Sequence, residues 1–135
     1  MNEKSVRVEI ARGVHSSTVR SGLSVDDAGD IIRGLEGEPD VTVTVSWAGV
    51  TNERVMLAIS GANVFVGLVQ PIDELYQYVA HGHDNLQGEI PFVIGGQRAP
   101  VRSRYVVDVK TAADVLQEWL SAGYESSSIG RWEHA

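Results

Sequence analysis

His81, His83 and Asp84 form the only cluster in the sequence that has metal-ligand chemistry. Two imidazoles spaced i, i+2 can share one face of a strand, and imidazole with carboxylate is a ligand set that zinc accepts. A structural zinc site needs four ligands, and His15 and His134 are far away in the sequence. The pattern therefore favours an exposed loop, and we expect no bound metal. A metal- or small-molecule-binding domain that uses the His81/His83 loop remains the alternative.

The other reactive side chains lack the neighbours that catalysis requires. The serines at 16–17 and 126–128 have no matched base nearby in sequence, and a nucleophile needs an adjacent activating group. Adjacent carboxylates such as Asp26 and Asp27 do not face each other on a helix. No G-x-G-x-x-G or Walker pattern indicates a nucleotide site. We therefore expect no catalytic residue, no cofactor and no enzymatic activity.

A second group of residues has the composition of a protein-binding surface. Between positions 73 and 84, two tyrosines are flanked by acids on one side and by histidines and an acid on the other, and tyrosine supplies much of the binding energy in protein interfaces. No Lys or Arg occurs from Val55 to Gln97. The other interpretation is that one tyrosine packs in the core and the acids are solvated. The group, here called the tyrosine–acid group, consists of Asp73, Glu74, Tyr76, Tyr78, His83 and Asp84.

The charge of the chain narrows the choice of partner. Eighteen acidic residues against eleven basic ones give a formal net charge of −7. This balance argues against nucleic-acid binding, which needs cationic groups to replace counterions on phosphates. It fits a basic protein partner, whose association it would accelerate. A charge of this size also serves solubility alone.

Length and cysteine usage indicate a small cytoplasmic protein. The 135 residues suit one domain, 1–135, and the chain has no cysteine for disulfides or thiolate sites. No apolar run is long enough to cross a membrane. The N-terminal residues Met-Asn-Glu-Lys lack the charged region followed by an apolar region that is typical of a signal peptide. We therefore expect a cytoplasmic location and no membrane association.

Periodicity in the first half of the chain predicts strands with one helix. Residues 6–10 alternate as in a strand, and residues 13–21 read as a polar loop. Ser24 is the expected N-cap of a helix that Gly34 or Gly37 ends, and Pro39 prevents its continuation. Residues 41–47, 54–60 and 64–69 then predict three antiparallel strands joined by short turns.

The second half predicts further strands and a second helix. Residues 72–80 fit either a helix or a strand, and we favour a strand. Residues 89–94 and 97–102 predict a hairpin turning at two glycines, with a proline in each strand that places it at an edge or a bulge. A strand at 104–109 precedes a helix capped by Thr111 and stopped by Gly123.

The predicted fold class is α+β. A single antiparallel, meander-type sheet carries two main helices, and the element order is β-α-β-β-β-(β)-β-β-β-α-β.

The last quarter of the chain resembles a known family. The segment YVVDVKTAADVLQEWLSAGYESSSIGRWE combines a strand, a helix with Trp119 near its end, Gly123, a polar link and the final pair Trp132-Glu133. It resembles the C-terminal signature of the first-numbered immunity-protein family of bacterial polymorphic-toxin systems. That family commonly carries Arg-Pro before the last strand, where this chain has Glu-Ser-Ser-Ser at 125–128. The rest of the chain matches only by the order of its elements.

The resemblance implies a binding function. An immunity protein of this type binds and neutralises a cognate toxin domain, by covering its active site. The toxins of this family include nucleic-acid-targeting enzymes such as deaminases and nucleases. The tyrosine–acid group is the surface expected to occupy the toxin's basic cleft, and the protein is expected to be a monomer or weak dimer.

Overall fold

The computed structural model describes residues 5–12, 16–48, 54–69, 75–80, 88–94, 97–122 and 131–134. These residues form two α-helices, ten β-strands and one turn of 3-10 helix. In chain order the elements are β1 (Val6–Arg12), β2 (Ser16–Leu23), α1 (Val25–Gly34), β3 (Val41–Trp47), β4 (Arg54–Ser60), β5 (Asn63–Val69), β6 (Leu75–Ala80), β7 (Glu89–Ile94), β8 (Gln97–Arg102), the 3-10 turn Ser103–Tyr105, β9 (Val106–Asp108), α2 (Val109–Ala122) and β10 (Arg131–His134).

The main sheet has the strand order β10-β6-β5-β4-β3-β1-β2, and β9 pairs with one end of β5. Every pairing is antiparallel. Strands β3, β4 and β5 form the predicted meander, and residues 75–80 adopt the favoured strand. The α+β class with an antiparallel sheet and two helices is confirmed.

Both helices cover one face of the sheet. Alternate residues along β1 and β3 are fully buried there, because successive side chains of a strand point to opposite faces. Helix α1 begins as predicted, in a capping box. Ser24 Oγ accepts the N–H of Asp27 at 3.0 Å, and Asp27 Oδ2 accepts the N–H of Ser24 at 3.1 Å. The core on this face includes Ile32 of α1 and Leu116 and Trp119 of α2.

The predicted hairpin exists but covers the opposite face. Strands β7 and β8 form their own two-stranded sheet, with Pro91 opposite Pro100, so both prolines lie on edge strands as expected. Phe92 is 2% exposed and belongs to a second core with Ala58 and Phe65 of the main sheet. The sheet is therefore sandwiched between the helices and the hairpin.

The loop predicted at residues 13–21 is wrong for its described part. Residues 16–23 form strand β2, which pairs with β1 at the end of the sheet. Its side chains from Ser16 to Gly22 are all exposed, so neither face of the strand required apolar residues. Because neither face is buried, the sequence lacks the alternation of apolar and polar residues that identifies a strand.

The start of the second helix also differs from the prediction. The segment 104–109 is a strand only at Val106–Asp108, and α2 begins at Val109. The capping side chain is Asp108, whose Oδ1 accepts the N–H of Thr111 at 2.7 Å. Aspartate caps a helix at least as well as threonine, and Asp108 lies three residues before Thr111. The helix therefore begins earlier than predicted. The predicted stop at Gly123 lies outside the described residues.

Neither described helix is long and apolar enough to cross a membrane.

Candidate functional site

The two tyrosines of the tyrosine–acid group lie on β6, an inner strand of the sheet. Hydrogen-bonded neighbours flank β6 on both sides, β5 on one and β10 on the other. Tyr78 is opposite Gly67 of β5 and Glu133 of β10. Tyr76 has no Cα partner on β5, because the register shifts between Leu68 and Val69. A register shift of this kind is typical of a bulge, which bends a strand.

The remaining members of the group lie before and after β6 in the sequence. Asp73 and Glu74 precede β6, and His83 and Asp84 follow it, all outside the described residues. His81 of the alternative metal site lies outside them as well. The clustering of these side chains therefore stays a prediction. Within the described residues, no three His, Asp or Glu side chains are grouped as a metal site requires.

An open cleft of about 620 Å³ lies between the hairpin and the main sheet. Sequence reasoning missed it, because its walls come from separate parts of the chain. The apolar wall comes from β7 and β8 and includes Phe92 and Ala99. The polar groups are Asp40 before β3, Ser60 at the end of β4 and Arg98 on β8. The complete lining is Asp40, Ser60, Pro91, Phe92, Val93, Arg98, Ala99 and Pro100.

Asp40 is held at the rim of this cleft by a braced loop. Its φ is +49°, a left-handed conformation that aspartate tolerates better than most residues. Gly37 N–H donates to the carbonyl of Gly61 at 2.9 Å, and Gly61 N–H donates to the carbonyl of Glu38 at 2.9 Å. This reciprocal pair ties the loop after α1 to the turn between β4 and β5. The backbone around Asp40 is therefore fixed before any ligand arrives.

An ion pair strengthens the same brace. Arg12 Nε lies 2.8 Å from Glu38 Oε1, and Arg12 Nη2 donates to Glu38 Oε2 at 3.2 Å. The hydrogen bond from Arg12 lowers the pKa of Glu38, and the carboxylate in turn raises the pKa of Arg12. This contact links the end of β1 to the loop that carries Asp40. Both side chains are substantially exposed, so salt would screen the pair.

The outer surface of the two helices is acidic. The helices carry five carboxylates, named here the helix-layer acids, against the two bases Arg33 and Lys110. Arg33 is already engaged, since it donates to Asp114 at 3.0 Å and to Asp30 at 3.3 Å. Five acids against two bases leave a net negative charge on the two helices. The helix-layer acids are Asp26, Asp27, Asp30, Asp114 and Glu118.

Comparison of the chain with protein-family models, with curated proteins and with solved structures finds no match. Function must therefore be argued from the fold, the cleft and the distribution of charge.

Proposed function

We propose that this protein is an immunity protein that binds a cognate toxin domain and neutralises it by covering the toxin's active site. The observation that carries the proposal is the surplus of carboxylates on the solvent side of the helix layer, on a chain with a net charge of −7. The resemblance of the last quarter of the chain to immunity proteins supports the same function. The protein would act in the cytoplasm as a monomer or weak dimer without a cofactor.

Charge gives a physical reason for the choice of partner. A toxin that acts on nucleic acid, such as a deaminase or nuclease, needs a basic cleft to hold phosphates. An acidic protein that enters this cleft replaces the substrate's charge and excludes the substrate. Complementary fields of this kind raise association rates about 10- to 1,000-fold and lose strength as salt increases. Tight binding should therefore be strongly salt-dependent.

Two acidic surfaces could make the contact, and the tyrosine–acid group is the one we propose. It combines Tyr76 and Tyr78, which can act as anchors, with Asp73, Glu74 and Asp84, which are close to them in the sequence. The helix-layer acids have no aromatic side chain among them and are tied partly to Arg33. They would contribute to attraction at a distance more than to contact.

The function is tested by finding the partner and then by rescue. The tagged protein is used to capture partners from lysate of the source organism, and each stoichiometric partner is expressed alone and together with this chain. A partner whose C-terminal domain stops growth alone, and does so no longer on co-expression, supports the proposal. If no captured domain is toxic while the toxin locus is transcribed, the immunity function is rejected.

The placement of the interface is tested separately with matched charge reversals. Asp73, Glu74 and Asp84 are changed together to Lys, and Asp26, Asp30 and Glu118 are changed together to Lys as the control. Both variants alter the net charge equally, so general attraction falls equally in both. The variant with Asp73, Glu74 and Asp84 reversed should lose far more affinity for the toxin than the control variant. Equal losses would place the contact elsewhere.

A further inference from the structure

The cleft between the hairpin and the sheet has the features of a site for an extended peptide segment. Its volume of about 620 Å³ falls within the range of roughly 300–1,000 Å³ typical of ligand sites. It is partly open to solvent, so a segment of another chain could reach it from outside. Nothing in the sequence resemblance bears on this region, which is built from β7, β8 and the loop before β3.

The apolar wall of the cleft is rigid and offers few backbone donors. Pro91 and Pro100 face each other across the hairpin, and proline has a fixed φ and no N–H. A strand added to this hairpin would meet prolines where it needs hydrogen-bond donors. An occupant must therefore bind through its side chains, with an apolar side chain against Ala99 and the edge of Phe92.

The two charges at the cleft are available to an occupant. Within the described parts of the chain, neither the Asp40 carboxylate nor the Arg98 guanidinium makes a hydrogen bond or an ion pair. Both line the same opening without neutralising each other. A ligand that brings one cation and one anion would satisfy both groups, whereas a ligand with a single sign of charge would be repelled by one of them.

We propose that this cleft binds a segment of the partner protein in which an apolar side chain is flanked by one acidic and one basic side chain. The basic side chain pairs with Asp40 and the acidic one with Arg98, while the apolar side chain contacts the proline-bordered wall. This inference deepens the proposed function, on which it rests for the identity of the partner. It assigns the cleft a role as a specificity contact in addition to the tyrosine–acid group.

The test uses the full chain, labelled with ¹⁵N, and short capped peptides as probes. Acetyl-Glu-Leu-Lys-amide and acetyl-Lys-Leu-Glu-amide are titrated while the backbone amide signals are followed by NMR. Acetyl-Gln-Leu-Gln-amide and free leucine are the controls for charge and for size. We expect saturable shifts at Ser60, Phe92 and Ala99 with at least one charged peptide, and weaker binding of both controls.

Two conservative variants assign the contacts. Asp40→Asn keeps the tolerance for a left-handed backbone and removes the charge, and Arg98→Gln removes the other charge. Each should weaken binding of the charged peptide about two- to fivefold, as expected of exposed ion pairs. The matched controls Asp30→Asn and Lys110→Gln lie on the helix layer and should leave binding unchanged.

Three results would overturn the proposal. The first is an absence of shifts at the cleft for every peptide up to its solubility limit. The second is that the charged peptides bind no more tightly than the Gln-Leu-Gln peptide, or that neither cleft variant weakens their binding. The third is binding of free leucine as tight as that of the peptides, which would indicate an amino-acid-sized ligand. Because toxin rescue is measured independently, a failure here is distinguishable from a failure of the immunity function.

Discussion

The terminal amide of Gln117 on α2 lies directly over the Cα of Gly29 on α1. A Cβ atom at position 29 would overlap Cδ and Nε2 of Gln117. The same amide accepts a hydrogen bond from Arg33 at 2.8 Å and donates to the carbonyl of Val25 at 3.4 Å. The two helices therefore approach closely because position 29 has no side chain, and Gln117 fills the space with polar contacts.

Substitution Gly29→Ala should reveal this dependence. Alanine favours a helix over glycine by about 1 kcal/mol, but it would displace Gln117 and break hydrogen bonds that contribute about 1 kcal/mol each. In the natural background, we expect Gly29→Ala to lower the free energy of unfolding. In a Gln117→Ala background, we expect the same substitution to raise it by about 0.5–1 kcal/mol. Urea denaturation of the four proteins measures the difference. The same effect of alanine in both backgrounds would contradict the contact.

The cap of α1 should make stability depend on pH. Ser24→Ala removes the acceptor for the Asp27 N–H and should cost about 1 kcal/mol near neutral pH. Hydrogen bonds from the backbone and side chain of Ser24 lower the pKa of Asp27 in the folded protein. A lowered pKa stabilises the fold above the ordinary carboxyl value of about 3.9, and this contribution is lost as the pH falls through the folded pKa.

The cost of Ser24→Ala should therefore shrink when urea denaturation is repeated below the lowered pKa of folded Asp27, where this carboxyl group is protonated in both states. Ser21→Ala on the exposed edge strand β2 is the control and should show little effect at either pH. A cost of Ser24→Ala that is constant across this range would mean that Asp27 takes no part in the cap.

The ion pair that braces the cleft loop is open to a direct titration. Arg12→Gln removes the main cause of the lowered pKa of Glu38, so this pKa should rise towards its ordinary value. NMR titration of the glutamate carboxyl signals measures the change. Lys110→Gln, which removes a positive charge on α2, should leave the pKa of Glu38 unchanged. If Arg12→Gln did not raise the pKa of Glu38, another group would have to be the cause of its low value.

Phe92 should anchor the hairpin to the sheet. Its ring is 2% exposed and packs in the second core with Ala58 and Phe65. Phe92→Ala would leave a cavity and should lower the free energy of unfolding by about 3–5 kcal/mol. Pro91→Ala, one position away on the exposed side of the hairpin, should cost far less. Thermal denaturation compares the two, and similar losses would show that the hairpin is not held by this ring.

Strand β10 should protect the edge of the sheet. It pairs with β6 from Arg131 to His134, so its removal would expose the hydrogen-bonding edge of β6. An exposed edge is a template for pairing with another chain. Deletion of residues 131–135 should therefore increase self-association in light scattering, whereas deletion of Ala135 alone should not. A truncated chain that scatters like the full one would contradict this protective role.

Features that depend on neighbouring residues were predictable from the sequence. The alternation of Val41, Val43 and Val45 predicted a strand with one buried face, and all three side chains are fully buried. Ser24 predicted a cap, because cap chemistry acts over three residues. The second helix was predicted with a late start, because residues 104–109 were assigned to a strand and Asp108 therefore was not considered as its cap.

Where burial was weak, the sequence carried little signal. Strand β2 reads as a loop because its residues from Ser16 to Gly22 face solvent, and its pairing with β1 leaves no pattern in the sequence. The tyrosine–acid group was inferred from composition alone. The structure places Tyr76 and Tyr78 on β6, and the grouping of the acids around them remains a prediction.

By itself, the sequence determined the α+β class, the meander, the hairpin and the two amphipathic helices, because each follows from a local period or a turn. Only the tertiary structure decided that the hairpin packs on the face opposite the helices, through Phe92 against Ala58 and Phe65. Both faces of a central strand such as β4 are apolar, so its pattern does not say which element covers which side. That choice creates the cleft that brings Asp40 and Arg98 together from distant parts of the chain.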